Sequence, residues 1–421
     1  MRGPAAWWFV ACAAIAVFAG AGSVAAHAAA PDISGQVRVV ATDVQASLRG
    51  PLAQAEVLSP GLALLPASSV ALASELRGRA GVFTLAGTLQ RQHTQGSGWR
   101  DESWVNELYA AGGAQAWQFS AGKRVVGWDV GQAWRPNDVV QQEQRRSLVS
   151  STLEGRPLLM AEHFSASTAW SAVWVNPQKP RRQRGAEEPA LALRLYQREG
   201  SVDWHGFARW GGHTRGSLGA AVAWVARDEL ELHGSARWLT AADTLLAASV
   251  SNAAPLVTSN PWQPAQARHT SQVLVGGSWT TAEQLSLLAE AWWDGTALSN
   301  AQWSQWATRN RTLASLAGSG APAVAVAGNL AWQGSAFSTA GNLRRTNLYA
   351  RLSWTWDKWQ PALDVLLTPA DRGRIVTTSL VWQGDRAKLE AAWRHYGGPD
   401  HAVLAQLPTR RQATLAGTWP F

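Results

Sequence analysis

Arg411-Gln-Ala-Thr-Leu-Ala-Gly-Thr-Trp-Pro-Phe421 ends the chain, and its side chains sort by alternation. Counting back, Phe421, Trp419, Gly417, Leu415 and Ala413 share one face of an extended strand, while Pro420, Thr418, Ala416, Thr414 and Gln412 share the other. One face is apolar and finishes on an aromatic ring; the other is small and mostly polar. A strand with hydrocarbon on one side and water on the other needs this composition. An amphipathic edge strand of a soluble sheet would read the same way in isolation. The other strands decide between them.

Period-2 alternation recurs almost everywhere after residue 30, and long segments of period 3.6 with helix caps are not evident. In Leu230–Trp238 the outward set Leu230, Leu232, Gly234, Ala236 and Trp238 opposes Glu231, His233, Ser235 and Arg237. Ser201–Trp210, Arg345–Trp356 and Arg386–Arg394 behave alike. Each apolar row is nearly free of charge, and many finish at a Trp. Trp is the compositional outlier, with 26 residues against 4 Tyr and 8 Phe. Its ring favours burial while its N–H favours water, so it concentrates at membrane interfaces, although carbohydrate-binding proteins are Trp-rich too. Trp210, Trp238, Trp279, Trp356, Trp382, Trp393, Trp419 and Phe421 are therefore the expected membrane girdle.

Connection lengths test this independently. Numbered backward from Phe421, short turns (Gln383–Asp385, Asp357-Lys358, Thr280–Ala282, Arg227–Glu229, Glu199-Gly200, Ser165–Ser167, Gly112-Gly113, Arg79-Ala80) alternate with longer links. The longest are 45–67, 125–154, 241–268 and 294–343, expected as external loops. This parity predicts a closed antiparallel transmembrane β-barrel of about 18 strands, with about 16 if the segment 155–164 fails, beginning near Ile33. The terminal Phe, with aromatic or small apolar residues at every second position before it, resembles the C-terminal signature of Gram-negative outer-membrane barrels. That resemblance implies an outer-membrane location and recognition of the last strand by the assembly machinery.

The N-terminus fits export. Arg2, the apolar run Trp7–Phe18 and the small residues before Ala26-His27-Ala28 predict a signal peptide over 1–28, leaving 29–421 as the barrel. The lone Cys12 lies inside that signal, so the mature chain is expected to hold neither disulfide nor thiolate metal site. No segment offers a run of roughly 18 uncharged apolar residues for a transmembrane helix. The net charge is +8, carried almost wholly by Arg, since only Lys123, Lys179, Lys358 and Lys388 are lysines. These arginines are scattered along strands, which argues against a nucleic-acid partner. The dense run Lys179–Arg184 reads as a solvated loop.

No cofactor or metal motif, no G-x-S-x-G elbow and no phosphate loop is present, so an enzyme is not expected. His213 and Ser217, like His93 and Ser97, lie in Gly-rich hairpin links. The proposed registers point roughly ten basic groups (among them Arg209, Arg237, Arg351 and Arg394) and about seven acidic ones (among them Glu290, Asp364 and Glu390) inward; rings of Arg favour anions, and Arg–carboxylate ladders stiffen the wall. Trp170, Trp174 and Trp292 are read as lumenal steps for sugars or aromatic acids.

Gly122-Lys-Arg-Val-Val-Gly-Trp128-Asp-Val-Gly-Gln-Ala-Trp134-Arg-Pro136-Asn-Asp138, with Gln141–Arg146 and Leu153–Pro157, is the most unusual segment. It resembles part of the porin-like barrels akin to the alginate-export group, with Asp129 standing where that pattern has Gly. The resemblance covers some 35 residues; it implies a channel and assigns no substrate. The link either packs on the external rim or folds into the lumen, where Arg135, Asp138, Glu143, Arg145 and Arg146 would narrow the pore. The expected function is a channel for small anionic or sugar-like solutes; the alternative is the barrel component of a secretion or envelope-assembly system.

Overall fold

The computed structural model describes residues 31–142, 148, 153–179, 185–250, 254–338 and 341–421. The expected signal peptide, Glu143, Arg145, Arg146 and all of the basic run Lys179–Arg184 except Lys179 lie outside those residues.

The strands are β1 (Asp32–Ala46), β2 (Ser69–Ala80), β3 (Phe83–Thr94), β4 (Gly98–Ala114), β5 (Trp117–Arg124) and β6 (Arg156–Phe164). There follow β7 (Thr168–Val175), β8 (Ala190–Glu199), β9 (Val202–Gly211), β10 (Arg215–Arg227), β11 (Leu230–Ala247) and β12 (Trp262–Thr280). β13 (Leu285–Asp294), β14 (Thr346–Trp354), β15 (Trp359–Thr368), β16 (Gly373–Gln383), β17 (Lys388–Gly397) and β18 (Thr409–Pro420) complete the wall. Each strand pairs antiparallel with its sequence neighbours, and β1 pairs with both β2 and β18, closing one 18-stranded sheet. Closure leaves no unpaired edge, the condition for crossing lipid with strands. β6, the weakest strand in the sequence, is present.

The faces follow the alternation. On β18, Leu415, Trp419 and Phe421 are exposed outward while Thr414, Ala416 and Thr418 are buried inward. On β12 the outward row is Val273, Val275, Gly277 and Trp279, without a charge. Phe83, Trp117, Trp279, Trp354, Trp356, Trp359 and Trp419 gather toward the short-turn rim, and Trp174, Trp210, Trp238 and Trp293 toward the other. The outward aromatics thus form two bands around an apolar belt.

Short and long links alternate as read, but several boundaries move. The link assigned to 241–268 is 248–261, because β11 and β12 stay paired up to Ala247↔Trp262. The pairing is interrupted at Thr240 and His269, where His269 has φ 49°, and resumes in the same register at Ala241↔Arg268. Gly112-Gly113 is not a turn: Gly113 pairs with Gln118 in the ladder, and the chain reverses after Ala114 with Gln115 at φ 55°. The turn read at Arg79-Ala80 lies at Gly81-Val82, since β2 runs to Ala80, and the link between β3 and β4 is only 95–97.

Helices also appear where none was read. α1 (Gly50–Leu58) occupies the first long link, and α2 (Asn300–Leu316) and α3 (Ala323–Trp332) the link between β13 and β14. Leu313, Val326, Ala327 and Leu330 bury one apolar cluster with Ala55 and Ala63. Trp303 and Trp306 join Trp262, Leu298 and Val403 in another. The links at the long-link rim therefore fold on one another as a small helical cap.

Candidate functional site

The described part of the link between β5 and β6 lies inside the barrel. Its underside is apolar: Val126, Trp128, Val139 and Val140 are buried against Leu158, Met160, Val173, Val175 and Phe207, which project inward from β6, β7 and β9. Such a wall would be costly to leave against a water-filled lumen, and burying a side chain of this size contributes about 1.5–3 kcal/mol.

Polar anchors fix the rest. The buried Glu290 carboxylate on β13 accepts from the amides of Gln132 at 2.7 Å and Ala133 at 2.9 Å, and lies 3.0 Å from His233 Nε2. Arg237 donates to the Pro136 carbonyl at 3.1 Å. Arg209, almost fully buried, donates to the Val139 carbonyl at 2.7 Å and pairs with Glu188 at 3.1 Å. The Asn137 amide donates to Ser235 Oγ at 2.9 Å and to the Ala236 carbonyl at 3.0 Å. Its carboxamide oxygen occupies the place of a side chain at Gly219, 1.7 Å from where a Cβ would stand, so only glycine fits there. Trp134 stacks on Trp292, ring centroids 5.9 Å apart at 7°, with Tyr349 edge-on.

Asp129 has φ 139°, a conformation that favours glycine. Its carboxylate accepts from the amides of Val130 and Asn137 and from Ser235 Oγ, which ties the turn to the wall. Burial pushes its carboxyl above the usual value, against the opposing pull of these donors and of Arg135.

The segment packs on the inner faces of β6, β7 and β9 and reaches across to β13 and β14. A cavity of about 660 Å³ lies between Gln132, Ala133 and Leu148 and the inner faces of β13 to β17. Arg351 pairs with Asp364 at 2.9 Å, and Tyr349 donates to the same carboxylate. Glu390 receives Lys388 at 2.9 Å and Arg38 at 3.4 Å, while Arg394 Nε donates to Thr377 at 2.9 Å. Arg351, Asp364, Glu390 and Arg394 thus line this cavity, and Arg38 and Lys388 meet Glu390 beside it.

The sequence-derived residues divide accordingly. Arg351 and Arg394 line the open cavity. Arg209 and Arg237 do point inward, but they lie beneath the folded segment and hold its carbonyls. Arg135 turns its Nε onto Gly131 of its own link, and Asp138, 2 % exposed, accepts from the Gln141 amide. Trp292 is inside as expected. Trp170 and Trp174 are not: on β7 the inward row is Ala169, Ser171, Val173 and Val175, so both rings face lipid. Of the expected girdle residues, Trp210, Trp238, Trp279, Trp382, Trp393 and Trp419 lie on the outward rows of their strands, while Trp356 and Phe421 stand exposed just beyond strand ends.

No family model and no curated protein matches the chain. Solved structures do. Acinetobacter baumannii OccAB1 superposes with a TM-score of 0.54 at 9% identity, covering 93% of this chain and 96% of that one. The fold is that of the outer-membrane porins. Pseudomonas aeruginosa OccK11 (OpdR) gives 0.53 at 7% identity over 93% and 96% of the two chains, and A. baumannii OccAB3 gives 0.51 at 7% over 93% and 99%. The likeness therefore runs through the whole wall, at identities that carry fold alone.

Proposed function

We propose that this porin-fold barrel is a diffusion channel for small anionic or sugar-like solutes, whose path is the open side of the lumen. The observation that carries it is the docked segment: it narrows the lumen to a polar passage lined by the guanidinium groups of Arg351 and Arg394 together with Asp364 and Glu390. Fixed guanidinium groups in a narrow passage are weakly screened and attract anions. Gln132 and Ala133 form one lip, and Arg351, Glu390 and Arg394 the other. Arg145 and Arg146 belong to the same link and would add to the anion preference. The likeness of segment 122–157 to alginate-export-like barrels supports a channel and leaves the solute open. No observation favours the secretion or assembly role.

Purified protein in a planar bilayer tests this directly. Discrete conductance steps with a reversal potential on the anion side are expected. Arg351→Gln with Arg394→Gln moves that potential toward cations. An inserted, heat-modifiable barrel that passes no current sinks the proposal, and unchanged selectivity in the double variant relocates the filter.

A further inference from the structure

The cavity beside the docked segment has an apolar ceiling. β17 and β18 are joined by the link 398–408, which carries a short 3-10 turn, Val403–Gln406. Leu404, almost fully buried, and Leu407 pack on Trp134, Trp292, Leu366 and Ile375. Leu366 and Ile375 also line the cavity. Both stand two residues from the long-link ends of β15 and β16, whereas Arg351, Val381 and Glu390 line it deeper in the wall. Gly373 faces inward opposite Thr368, and the Leu404 Cβ lies 3.1 Å from where a Cβ on Gly373 would stand. The leucine therefore enters the mouth of the lumen at the long-link rim.

The link has a pivot and a latch. Gly398 sits at φ 139°, and a Cβ there would stand 3.0 Å from both the Arg372 carbonyl and the Ala402 Cβ, so the chain turns where only glycine fits. The latch is Asp371, buried in the neighbouring link between β15 and β16. One of its oxygens accepts from the Val403 amide at 2.9 Å and lies 3.4 Å from Arg344. The other accepts from the Thr368 hydroxyl at 2.7 Å and the Gly373 amide at 3.1 Å. The Val403 side chain belongs to the cap, buried with Trp303 and Trp306 of α2. The turn thus lies between cap and cavity, with a single carboxylate fixing its first amide.

We infer that the link 398–408 is the gate of the passage: Leu404 and Leu407 close its outer end, and release of Val403 from Asp371 lets the turn swing about Gly398 and admit solute. The inference rests on the diffusion-channel reading and adds a closed state to it. A constriction walled by leucine and tryptophan offers water and ions no hydrogen-bond partners, so it conducts only once it widens or wets. Selection and gating are then separate: Arg351 and Arg394 choose the ion below, and the ceiling decides when it passes.

Single-channel records of the purified barrel in a planar bilayer test it. The natural protein is expected to rest at a closed level with brief openings. Asp371→Asn keeps the side-chain shape but not the charge, and should raise the ratio of open to closed time about tenfold, the worth of one charge-assisted hydrogen bond. The conductance of the open level should not change. Leu404→Gln, which gives the ceiling a polar group, should raise the ratio likewise. The sequence has one cysteine, Cys12 in the expected signal peptide, so Leu404→Cys supplies a unique thiol. A charged methanethiosulfonate reagent should modify that thiol about tenfold faster when Asp371→Asn is added, the same factor as in the open ratio. A natural protein that stays open, an unchanged open ratio in the folded variants, or a higher open-level conductance at an unchanged ratio overturns the gate. If Asp371→Asn does not insert, Leu404→Gln decides. Barrels that pass no current in any form sink the channel reading itself, and the thiol rates then show separately whether the link opens.

Discussion

Asp129 occupies a backbone conformation that glycine adopts freely, and the cost of that choice is offset by three hydrogen bonds to its carboxylate. Holding a non-glycine residue there costs on the order of 1–3 kcal/mol. Asp129→Gly relieves the strain but loses the bonds; Asp129→Ala loses the bonds and keeps the strain. We therefore expect Asp129→Ala to loosen the segment more than Asp129→Gly, by about 1 kcal/mol, read as faster proteolysis of the link in folded barrels. The reverse order would mean that the backbone strain at this position contributes little. The same scale tests the wall. Val275→Arg, on the lipid face between the bands, should cost about 2–4 kcal/mol in refolding titrations, and Ser353→Arg, on the open lumen face, far less. Ser235 would be a poor lumenal control, although its inward direction was legible from alternation. Its neighbours Asp129 and Asn137 arrive from a link that periodicity cannot place.

The segment 125–142 is the element on which the pore depends, and its two faces make separate demands. Its apolar underside completes a core with β6, β7 and β9, so removing it strips cover from Val173, Val175 and Phe207. Shortening the link between Asp129 and Glu154 should raise conductance and lower anion preference, and also lower the temperature at which the barrel unfolds. A wider pore with unchanged thermal stability would show that the underside packs too loosely to matter. Conductance at the natural value would place the constriction elsewhere. A trace of this element was visible beforehand: Leu158-Leu-Met-Ala161 and Ala172-Val-Trp-Val175 are apolar on both faces, which lipid alone does not require. That doubling blurred β6, the least certain strand, by hiding its alternation. The helices of the cap were missed for another reason. Ser299 and Gln302 form a complete capping box at the start of α2, but a single cap inside so long a link carries little weight against the period-2 pattern on either side.

Strand number, closure and the lipid-facing rows were legible across the whole molecule, because a two-sided wall writes its surroundings into every second residue. The passage was legible only in part, since it depends on which wall positions a folded link covers. The seam between β1 and β18 gives a last prediction. Phe421 exchanges backbone hydrogen bonds with Gly35 at 2.8 and 2.9 Å, and its ring lies over the Gly35 backbone, 2.6 Å from where a Cβ would stand. Deleting Phe421 should reduce outer-membrane insertion. Gly35→Val, which keeps the residue but displaces its ring, should weaken the seam while leaving recognition of the free C-terminal strand intact. Normal amounts of inserted protein after the deletion would remove the aromatic from the assembly signal. The seam has a temporal consequence as well. Its partners Gln36 and Pro420 stand at opposite ends of the strand sequence, so no earlier pairing can seal the sheet. Contacts of such separation form slowly. Until the final strand arrives, β1 is a bare ladder open to any passing strand, and a ribosome that stops short releases a chain with two adhesive borders.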